Sequence, residues 1–383
     1  MKSNKIRLGE QCVVTSSKRF HLSERITQGV PFYCSKEIIK KFNGEDVTEC
    51  DYISEDLYKK VSNEVGVPKE NDLLITTRGT IGIPYLYKRT DRFYFADGNL
   101  TWIKDFDSNL YSKFLYYWFQ SYEGRKKFEA LAKGTAQKAV PISGIKTLEI
   151  ELPSLKSQKR IADILSAYDD LIENNQKQIK LLEEAAQRLY KEWFVDLRFP
   201  GHENTKIVDG VPEGWSRTNI NEILTFHRGY DLTKNEMKAG RYPVVGSTTV
   251  IGYHNEFKIK GPGIVTGRSG SLGKYQFIWD NFWPHNTSLY ISDYKDHNIF
   301  FVYSLLQTVD FASLNNGGAI PTLNRNVLSN IEVIEPTDEL QEMFAKIAEA
   351  QYRKIRNLEK QNNQLKMARD VLLPKLMSGE VEV

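Results

Sequence analysis

Residues 144–165 read GIKTLEIELPSLKSQKRIADIL, and residues 327–348 read VLSNIEVIEPTDELQEMFAKIA. The two stretches align without a gap at a constant shift of 183 residues, and the shift holds over about 45 residues in all. Each contains an apolar strand, a proline and the start of a long helix, because proline suits the position before a helix and disrupts its interior. The identical pairs are Glu149/Glu332, Pro153/Pro336, Gln158/Gln341, Ala162/Ala345 and Ile164/Ile347. The match predicts an internal duplication.

The helix after each proline carries apolar residues at alternating spacings of four and three, which is typical of a coiled-coil seam. Asn175 is the polar exception in the first seam, and a residue of this kind fixes register at some cost in stability. The second seam is weaker but has the same period. The seam residues are Ile161, Leu165, Tyr168, Ile172, Asn175, Ile179, Leu182, Leu189, Ile355, Leu358, Asn362, Leu365 and Leu372. Neither helix can bury its stripe alone, so we predict that the two pack on each other. Mixed charges disfavour a membrane-surface helix.

The ends of both helices follow from glycine and proline. The first helix is expected to end around Asp196, since residues 198–215 (RFPGHENTKIVDGVPEGW) supply the proline, glycine and polar residues of a linker. The second is expected to end at Leu376–Met377, with Pro374 breaking or kinking its last turn.

The segments 1–153 and 212–336 have a different character. Short β-like runs alternate with turns, and one helical stretch interrupts each segment, at 112–131 and at 298–312. We predict two small α+β domains that share an order of elements but little sequence. Because the helices share both, the pattern favours a common task for the helices and separate specificities for the domains.

Three loops recur in the two segments: TTRGTIG (76–82) with TGRSGSLG (266–273), ADGN (96–99) with HNTS (285–288), and GTAQKAVP (134–141) with GGAIPTLNRN (317–326). Glycine permits close backbone approach, and arginine offers a planar fork to guanine or phosphate. For each loop the alternative of a turn satisfied within the protein stays open. The candidate DNA-binding residues are Arg78, Thr80, Asn99, Thr135, Gln137, Lys138, Arg268, Ser269, Ser271, Lys274, His285, Asn286, Thr287, Asn324 and Arg325.

Composition indicates a soluble globular protein. The chain has 383 residues, 40% of them hydrophobic and 26% charged, with a net charge of +3 that permits nucleic acid as a partner without demanding it. The sequence contains no run of 18 apolar residues, and it does not begin with a charged-then-apolar leader. We therefore expect neither a membrane-spanning helix nor a secretory signal. Three cysteines without CxxC spacing indicate neither a disulfide framework nor a cysteine zinc site and fit a reducing cytoplasm.

Catalytic signatures are missing from the sequence. It has no GxxxxGK[ST], no GxGxxG after a strand, no Asn-Pro-Pro-aromatic tetrapeptide, no GxSxG and no HExxH. Two ExK triplets, Glu236-Met-Lys238 and Glu256-Phe-Lys258, lie downstream of Asp231. Carboxylates and a lysine around a cation would suit a nuclease, but such triplets are frequent in a highly charged chain. We therefore expect no catalytic residues and no metal site.

The duplicated unit resembles the specificity (S) subunit of Type I restriction–modification enzymes. The resemblance is best in IELPSLKSQKRIADILSAYDDLIENNQKQIKLLEEAAQRLY (150–190), and LNRNVLSNIEVIEP (323–336) and GVPEGW (210–215) fit as well. The second helix entrance departs from the family pattern at Thr337–Leu340 and lacks the Ile-Ala pair.

The resemblance implies an α+β fold with two pseudo-symmetric α/β target recognition domains separated by an antiparallel coiled coil of two long helices. The implied division is a first target recognition domain at 1–153, a central conserved helix at 154–197, a linker at 198–211, a second target recognition domain at 212–336 and a distal conserved helix at 337–383. Each domain would read one half of a split DNA sequence, and the coil would set their spacing.

The resemblance also implies partners. Two methyltransferase subunits would bring S-adenosylmethionine and adenine-N6 methyl transfer, and restriction subunits would bring ATP- and Mg-dependent translocation and cleavage. This chain would itself be a non-catalytic subunit without cofactors. Two other hypotheses stay open from the residues: a coiled-coil scaffold that binds proteins without DNA specificity, and a fused methyltransferase or nuclease.

Overall fold

A computed structural model describes residues 4–134, 138–268, 273–309 and 331–383. The chain divides into two compact units. Unit 1 consists of residues 1–176 and 359–383, and unit 2 consists of residues 177–358. Among the described residues, no helix is both long and apolar enough to cross a membrane.

Three small sheets build unit 1. A four-stranded sheet has the order β2-β8-β5-β6, a three-stranded sheet has the order β4-β3-β7, and β1 pairs with β9. All pairs are antiparallel except β3 with β7. The strands are β1 (Asn4–Arg7), β2 (Val13–Thr15), β3 (Val30–Tyr33), β4 (Asp51–Ile53), β5 (Leu73–Thr76), β6 (Pro84–Leu86), β7 (Tyr94–Phe95), β8 (Leu100–Lys104) and β9 (Glu149–Leu152).

Five shorter helices accompany these sheets, and the first long helix follows β9. The helices are α1 (Ser35–Phe42), α2 (Glu55–Glu64), α3 (Ser112–Gln120), α4 (Tyr122–Glu129), α5 (Ile142–Lys146) and the long helix α6 (Leu155–Tyr190). The apolar face of α3 lies in the core with Phe114 and Phe119, where Ile161 and Leu165 of α6 are also buried. The first turns of α6 therefore form part of the core of unit 1.

Unit 2 repeats the same pairing. Its sheets have the orders β13-β19-β16-β17, β15-β14-β18 and β12-β20, and again one pair, β14 with β18, is parallel. A further two-stranded antiparallel sheet, β10-β11, has no counterpart among the described residues of unit 1. The elements are β10 (Ile207–Val208), β11 (Val211–Pro212), β12 (Ser216–Asn219), α7 (Ile220–Ile223), β13 (Thr225–Arg228), β14 (Tyr242–Val245), β15 (Val250–His254), β16 (Gly263–Gly267), β17 (Tyr275–Ile278), β18 (Trp283–Pro284), β19 (Ser288–Asp293), α8 (Ile299–Thr308), β20 (Glu332–Glu335) and α9 (Asp338–Ser378). The predicted common order therefore holds for the strands of the sheets, whereas α1 and α2 of unit 1 have no counterpart in the fully described stretch between β14 and β16.

The two long helices pack antiparallel within unit 1. Asn175 Nδ2 donates to Asn362 Oδ1 at 2.9 Å, and Arg369 Nη1 lies 2.5 Å from Asp169 Oδ1, so residue numbers fall along α9 as they rise along α6. Tyr117 of α3 donates its hydroxyl to the other Asp169 oxygen at 2.6 Å. Burial, and after it the Asp169 charge, raises the pKa of Tyr117. The contacts among Tyr117, Asp169 and Arg369 therefore connect α6 and α9 to α3 of unit 1.

The same helices meet in unit 2 through aromatic rings. Phe344 of α9 is fully buried, and its ring centroid lies 5.5 Å from that of Tyr190 and 5.3 Å from that of Phe194. The predicted seam residues of both helices all lie in buried or half-buried positions. The buried members are Ile161, Leu165, Ile172, Asn175, Ile355, Leu358 and Asn362. Tyr352, which the seam spacing did not select, is 6% exposed and lies in the core of unit 2 together with Phe344.

Several local expectations differ from the structure. The helical stretch 112–131 is broken at Ser121, whose hydroxyl accepts from Gly124 N–H at 3.1 Å and caps α4. A side chain at Gly124 would lie 1.9 Å from Trp118 O, so only glycine permits this sharp return.

Both long helices end close to the predicted residues, the first at Asp196 and the second at Ser378. Of the two expected effects of Pro374, a break or a kink, the break does not occur, because α9 continues to Ser378 and Leu376, 1% exposed, lies in the core of unit 1. After α6, residues 191–195 form a π turn. The segment 198–211, interpreted as a linker, contains β10 and the start of β11, and Phe199 is buried in the core of unit 2.

Candidate nucleic-acid interface

Three of the recurring loops meet at one end of unit 1. β5 pairs with β8 so that Thr76 lies opposite Leu100, and the next residue, Thr77, donates its N–H to Asn99 O at 2.9 Å. Val140 N–H donates to Thr77 O at 2.9 Å, and Arg78 forms a β-bridge with Ala139. The backbone thereby brings the three loops to the end of β5.

Three exposed basic side chains lie on the loops at this end of unit 1. Arg78 and Lys138, both predicted contacts, are exposed together with Thr80, and Asn99 is half-buried. Lys133, which the sequence reasoning missed, is exposed and pairs through its backbone with Ala139. Within the ranges that the structure describes, none of these three cations forms an ion pair with a carboxylate. Unpaired cations on converging loops suit an anionic partner such as a phosphate backbone.

Two of the matching loops of unit 2 meet in the same way, and the third, 317–326, lies outside the described residues. Gly267 of β16 lies opposite Ser288 of β19, and Arg268 donates its N–H to Thr287 O at 3.2 Å. His285 Nδ1 lies 3.0 Å from Thr287 Oγ1, which places both predicted side chains in one loop. Lys274, the residue directly before β17, is exposed.

A further segment, missed by sequence reasoning, joins this loop in unit 2. Asn286 Nδ2 donates to an Asp231 carboxylate oxygen, and Arg228 Nε donates to Asn286 O at 3.5 Å. Tyr230 forms a β-bridge with His285. The residues after β13 therefore hold the loop 285–287 in place. The signal in the sequence was an arginine directly before a glycine, Arg228-Gly229, at the end of a strand-like run.

The register corrects one pairing of the two loops. Aligned from their first residues, the motifs TTRGTIG (76–82) and TGRSGSLG (266–273) place Arg78 opposite Arg268. In the structure Arg268 makes the hydrogen bond that Thr77 makes in unit 1, so Arg268 is equivalent to Thr77 and Arg78 stands one residue later. Adjacent residues of an extended segment point to opposite faces. The two arginines therefore occupy different places in the two units.

Six predicted contacts lie outside the described residues, and for them the prediction stays a prediction: Thr135, Gln137, Ser269, Ser271, Asn324 and Arg325.

Parts of the two ExK triplets line one cavity of about 320 Å³ in unit 2, whose wall includes Trp283 and the buried His254. Glu236 lies there, and hydrogen bonds from the N–H and hydroxyl of Thr233 lower the pKa of its carboxyl. Lys258 Nζ lies 4.7 Å from the centroid of the Trp283 ring. Among the described residues no group of three or more His, Cys, Asp or Glu side chains has the arrangement of a metal site.

Fold and loops together define a duplicated protein in which two units of equal topology each present a cluster of divergent loops. The chain matches the model of a family described as "Type I restriction modification DNA specificity domain" over residues 3–184 and again over 212–367. The chain belongs to this family.

Curated relatives agree with the family. The chain is 28% identical over 302 residues to the Type I restriction enzyme MjaIX specificity subunit of Methanocaldococcus jannaschii, covering 71% of this chain and 69% of the relative. It is 26% identical over 333 residues to a type I specificity subunit of Mycoplasma genitalium, covering 82% of each chain. The crystal structure of a Type I restriction–modification S subunit from M. genitalium superposes with a TM-score of 0.63 at 19% identity, covering 98% of this chain and 96% of that chain, which shows the shared fold.

Proposed function

We propose that this chain is the DNA sequence-recognition subunit of a Type I restriction–modification complex, and that each unit reads one half of a split target. One observation carries the proposal: the same set of three sheets occurs twice, and in each unit loops of different sequence converge at the end of the same strand pair. A shared frame with divergent side chains suits two half-sites of different sequence.

The side chains on the converging loops support a role in DNA recognition. Arginine and lysine neutralise phosphates, and arginine, asparagine and threonine can also read base edges in the major groove. Arg78, Lys133 and Lys138 are exposed, and in the described part of the chain none of them pairs with a carboxylate. Their charges therefore remain available to phosphates.

We further propose that the catalytic steps, DNA methylation and DNA cleavage, are carried out by partner subunits. Two methyltransferase subunits would supply S-adenosylmethionine-dependent methylation of adenine, and restriction subunits would supply the ATP- and Mg-dependent steps. This chain, acting in the cytoplasm as a non-catalytic subunit, would contribute recognition and the surfaces of its long helices.

Methylome sequencing of a host carrying and lacking the gene tests the proposal. The expected result is one bipartite modified-adenine motif that disappears with the gene. A methylome that is identical in the two hosts, although the partner subunits are expressed and assemble with this chain, would instead indicate a scaffold without DNA specificity.

A further inference from the structure

A backbone carbonyl in unit 1 accepts hydrogen bonds from two other segments. Asn99 O accepts the Thr77 N–H at 2.9 Å and also the Ser35 hydroxyl at 3.2 Å. Ser35 is the second residue after Tyr33, the last residue of β3. The hydroxyl therefore ties the chain leaving β3 to the loops at the end of β5.

The same arrangement recurs in unit 2. Thr287 O accepts the Arg268 N–H at 3.2 Å and the Ser247 hydroxyl at 2.7 Å. Ser247 is the second residue after Val245, the last residue of β14. β14 occupies the place in its sheet that β3 occupies in unit 1, since each is the central strand and pairs with one parallel neighbour.

The six residues that end at each serine, VPFYCS (30–35) and YPVVGS (242–247), share only the serine and the proline four residues before it. Unit 1 reads Tyr33-Cys34-Ser35 and unit 2 reads Val245-Gly246-Ser247. A serine that donates to the equivalent carbonyl in two otherwise diverged domains has a common role there. That role is to fix the start of the following segment against the converging loops.

The segments that follow the two serines differ completely. In unit 1 the chain enters helix α1, whereas in unit 2 it makes a short turn, closed by Gly246 N–H donating to Thr249 O at 2.9 Å, and continues into β15. A side chain at Gly246 would lie 2.8 Å from the Ile251 side chain, which keeps this turn tight. Thr248 and Thr249 are exposed at its tip.

We propose that Thr248 and Thr249 are specificity-determining residues that contact base edges in the half-site of unit 2, and that Ser247 positions them. The inference rests on the proposed function and adds to it a contact segment outside the three recurring loops. A two-stranded hairpin fits the major groove, where a threonine hydroxyl can donate to or accept from a base edge and its methyl group can contact a thymine methyl. The serine bond to Thr287 O holds this turn beside the Arg268 and Thr287 loops.

The test compares methylomes of hosts that express the complete complex with the wild-type chain or with Thr248→Ala/Thr249→Ala. We expect the double variant to relax the motif at one or two base pairs of one half-site, with discrimination there falling about tenfold or more, and the other half-site unchanged. The control is Thr225→Ala/Ser292→Ala, which removes two hydroxyls at the opposite end of the β13–β19 pair. The control should leave the motif unchanged.

Ser247→Ala and Ser247→Thr separate positioning from folding. Ser247→Ala should relax the same base pairs as the threonine double variant without a change in melting temperature beyond that of the control, and Ser247→Thr, which keeps the hydroxyl, should restore them. A bipartite motif that stays unchanged in Thr248→Ala/Thr249→Ala overturns this inference but leaves the proposed function standing. Absence of any gene-dependent motif in the wild-type host overturns the proposed function itself.

Discussion

Unit 1 and unit 2 pair their strands in the same order and lock the same carbonyl with a serine hydroxyl, but they fill this frame with different residues. At the equivalent position unit 1 has the buried Thr77, whereas unit 2 has the half-buried Arg268. After the serine, unit 1 has a helix and unit 2 has a two-stranded hairpin. Backbone hydrogen bonds and sheet register thus maintain the common part, and side chains on loops carry the difference.

The two units also use the long helices differently. Unit 1 joins them through the buried Asn175–Asn362 amide pair and the Asp169–Arg369 ion pair, whereas unit 2 joins them through rings around Phe344. Aromatic packing supplies large apolar burial, while a buried amide pair adds specificity of alignment at some cost in stability. The difference predicts unequal sensitivity to mutation.

The largest effect is expected for Phe344→Ala. Removing this fully buried ring should destabilise unit 2 by about 3–5 kcal/mol, because the surrounding rings cannot close the cavity. Hydrogen exchange should show protection lost within residues 177–358 and largely retained in unit 1. Met343→Ala, at a side chain that is 48% exposed on the same helix, is the control. Equal loss of protection in both units would break the division between them.

Asn175→Ala should cost unit 1 about 1–3 kcal/mol, because the Asn362 amide stays buried without its partner. Asn175→Ala/Asn362→Ala should cost less than the sum of the single variants, as measured by urea unfolding. The neighbouring Asn174 is exposed, so Asn174→Ala corrects for the helix preference of alanine. If Asn175→Ala and Asn174→Ala had equal effects, the amide pair would have no role in alignment.

Arg78→Ala and Arg268→Ala should each relax one half-site and spare the other. The expected loss of discrimination is about 1–3 kcal/mol at the affected base pair if the arginine reads a base edge. Binding of the assembled complex to target libraries randomised in one half-site at a time measures both effects. Relaxation of the same half-site by both substitutions would contradict the assignment of one half-site to each unit.

The smallest effect is expected for Lys133→Ala and Lys138→Ala. Each should weaken binding to all sequences alike and reduce the slope of log affinity against log salt by about 1, as loss of a phosphate contact does. Lys146→Ala, in α5 where its backbone lies against Gly9, is the matched control. A change in base preference in either loop variant would show that these lysines read sequence.

The long-range part of this fold could be predicted because it repeats. The period of the seam and the identical Pro153/Pro336 and Gln158/Gln341 indicated two equivalent helices and two equivalent domains before any contact was known. The glutamines have matching roles: each donates its side-chain amide to the carbonyl of the proline five residues earlier, at 3.0 Å in the first copy and 2.9 Å in the second.

Other features depend on contacts that no local pattern records. The serine bonds join residues 64 and 40 positions apart in the sequence, and such a separation is not visible in either local sequence. The true equivalence of Arg268 with Thr77 follows from strand register, which a match of similar loop motifs placed one residue off. The break at Ser121 depends on the approach of Gly124 to Trp118 O, a tertiary constraint that the helical composition conceals.

Unit 1 is discontinuous along the chain, and this affects the order in which a nascent polypeptide can fold. Its core includes Leu373 and Leu376 of α9, whereas unit 2 is assembled from the uninterrupted stretch 177–358. Domains usually fold in the order in which they are synthesised. Here the later unit is complete first, and the domain whose synthesis begins earliest must wait until residues 359–383 have left the ribosome.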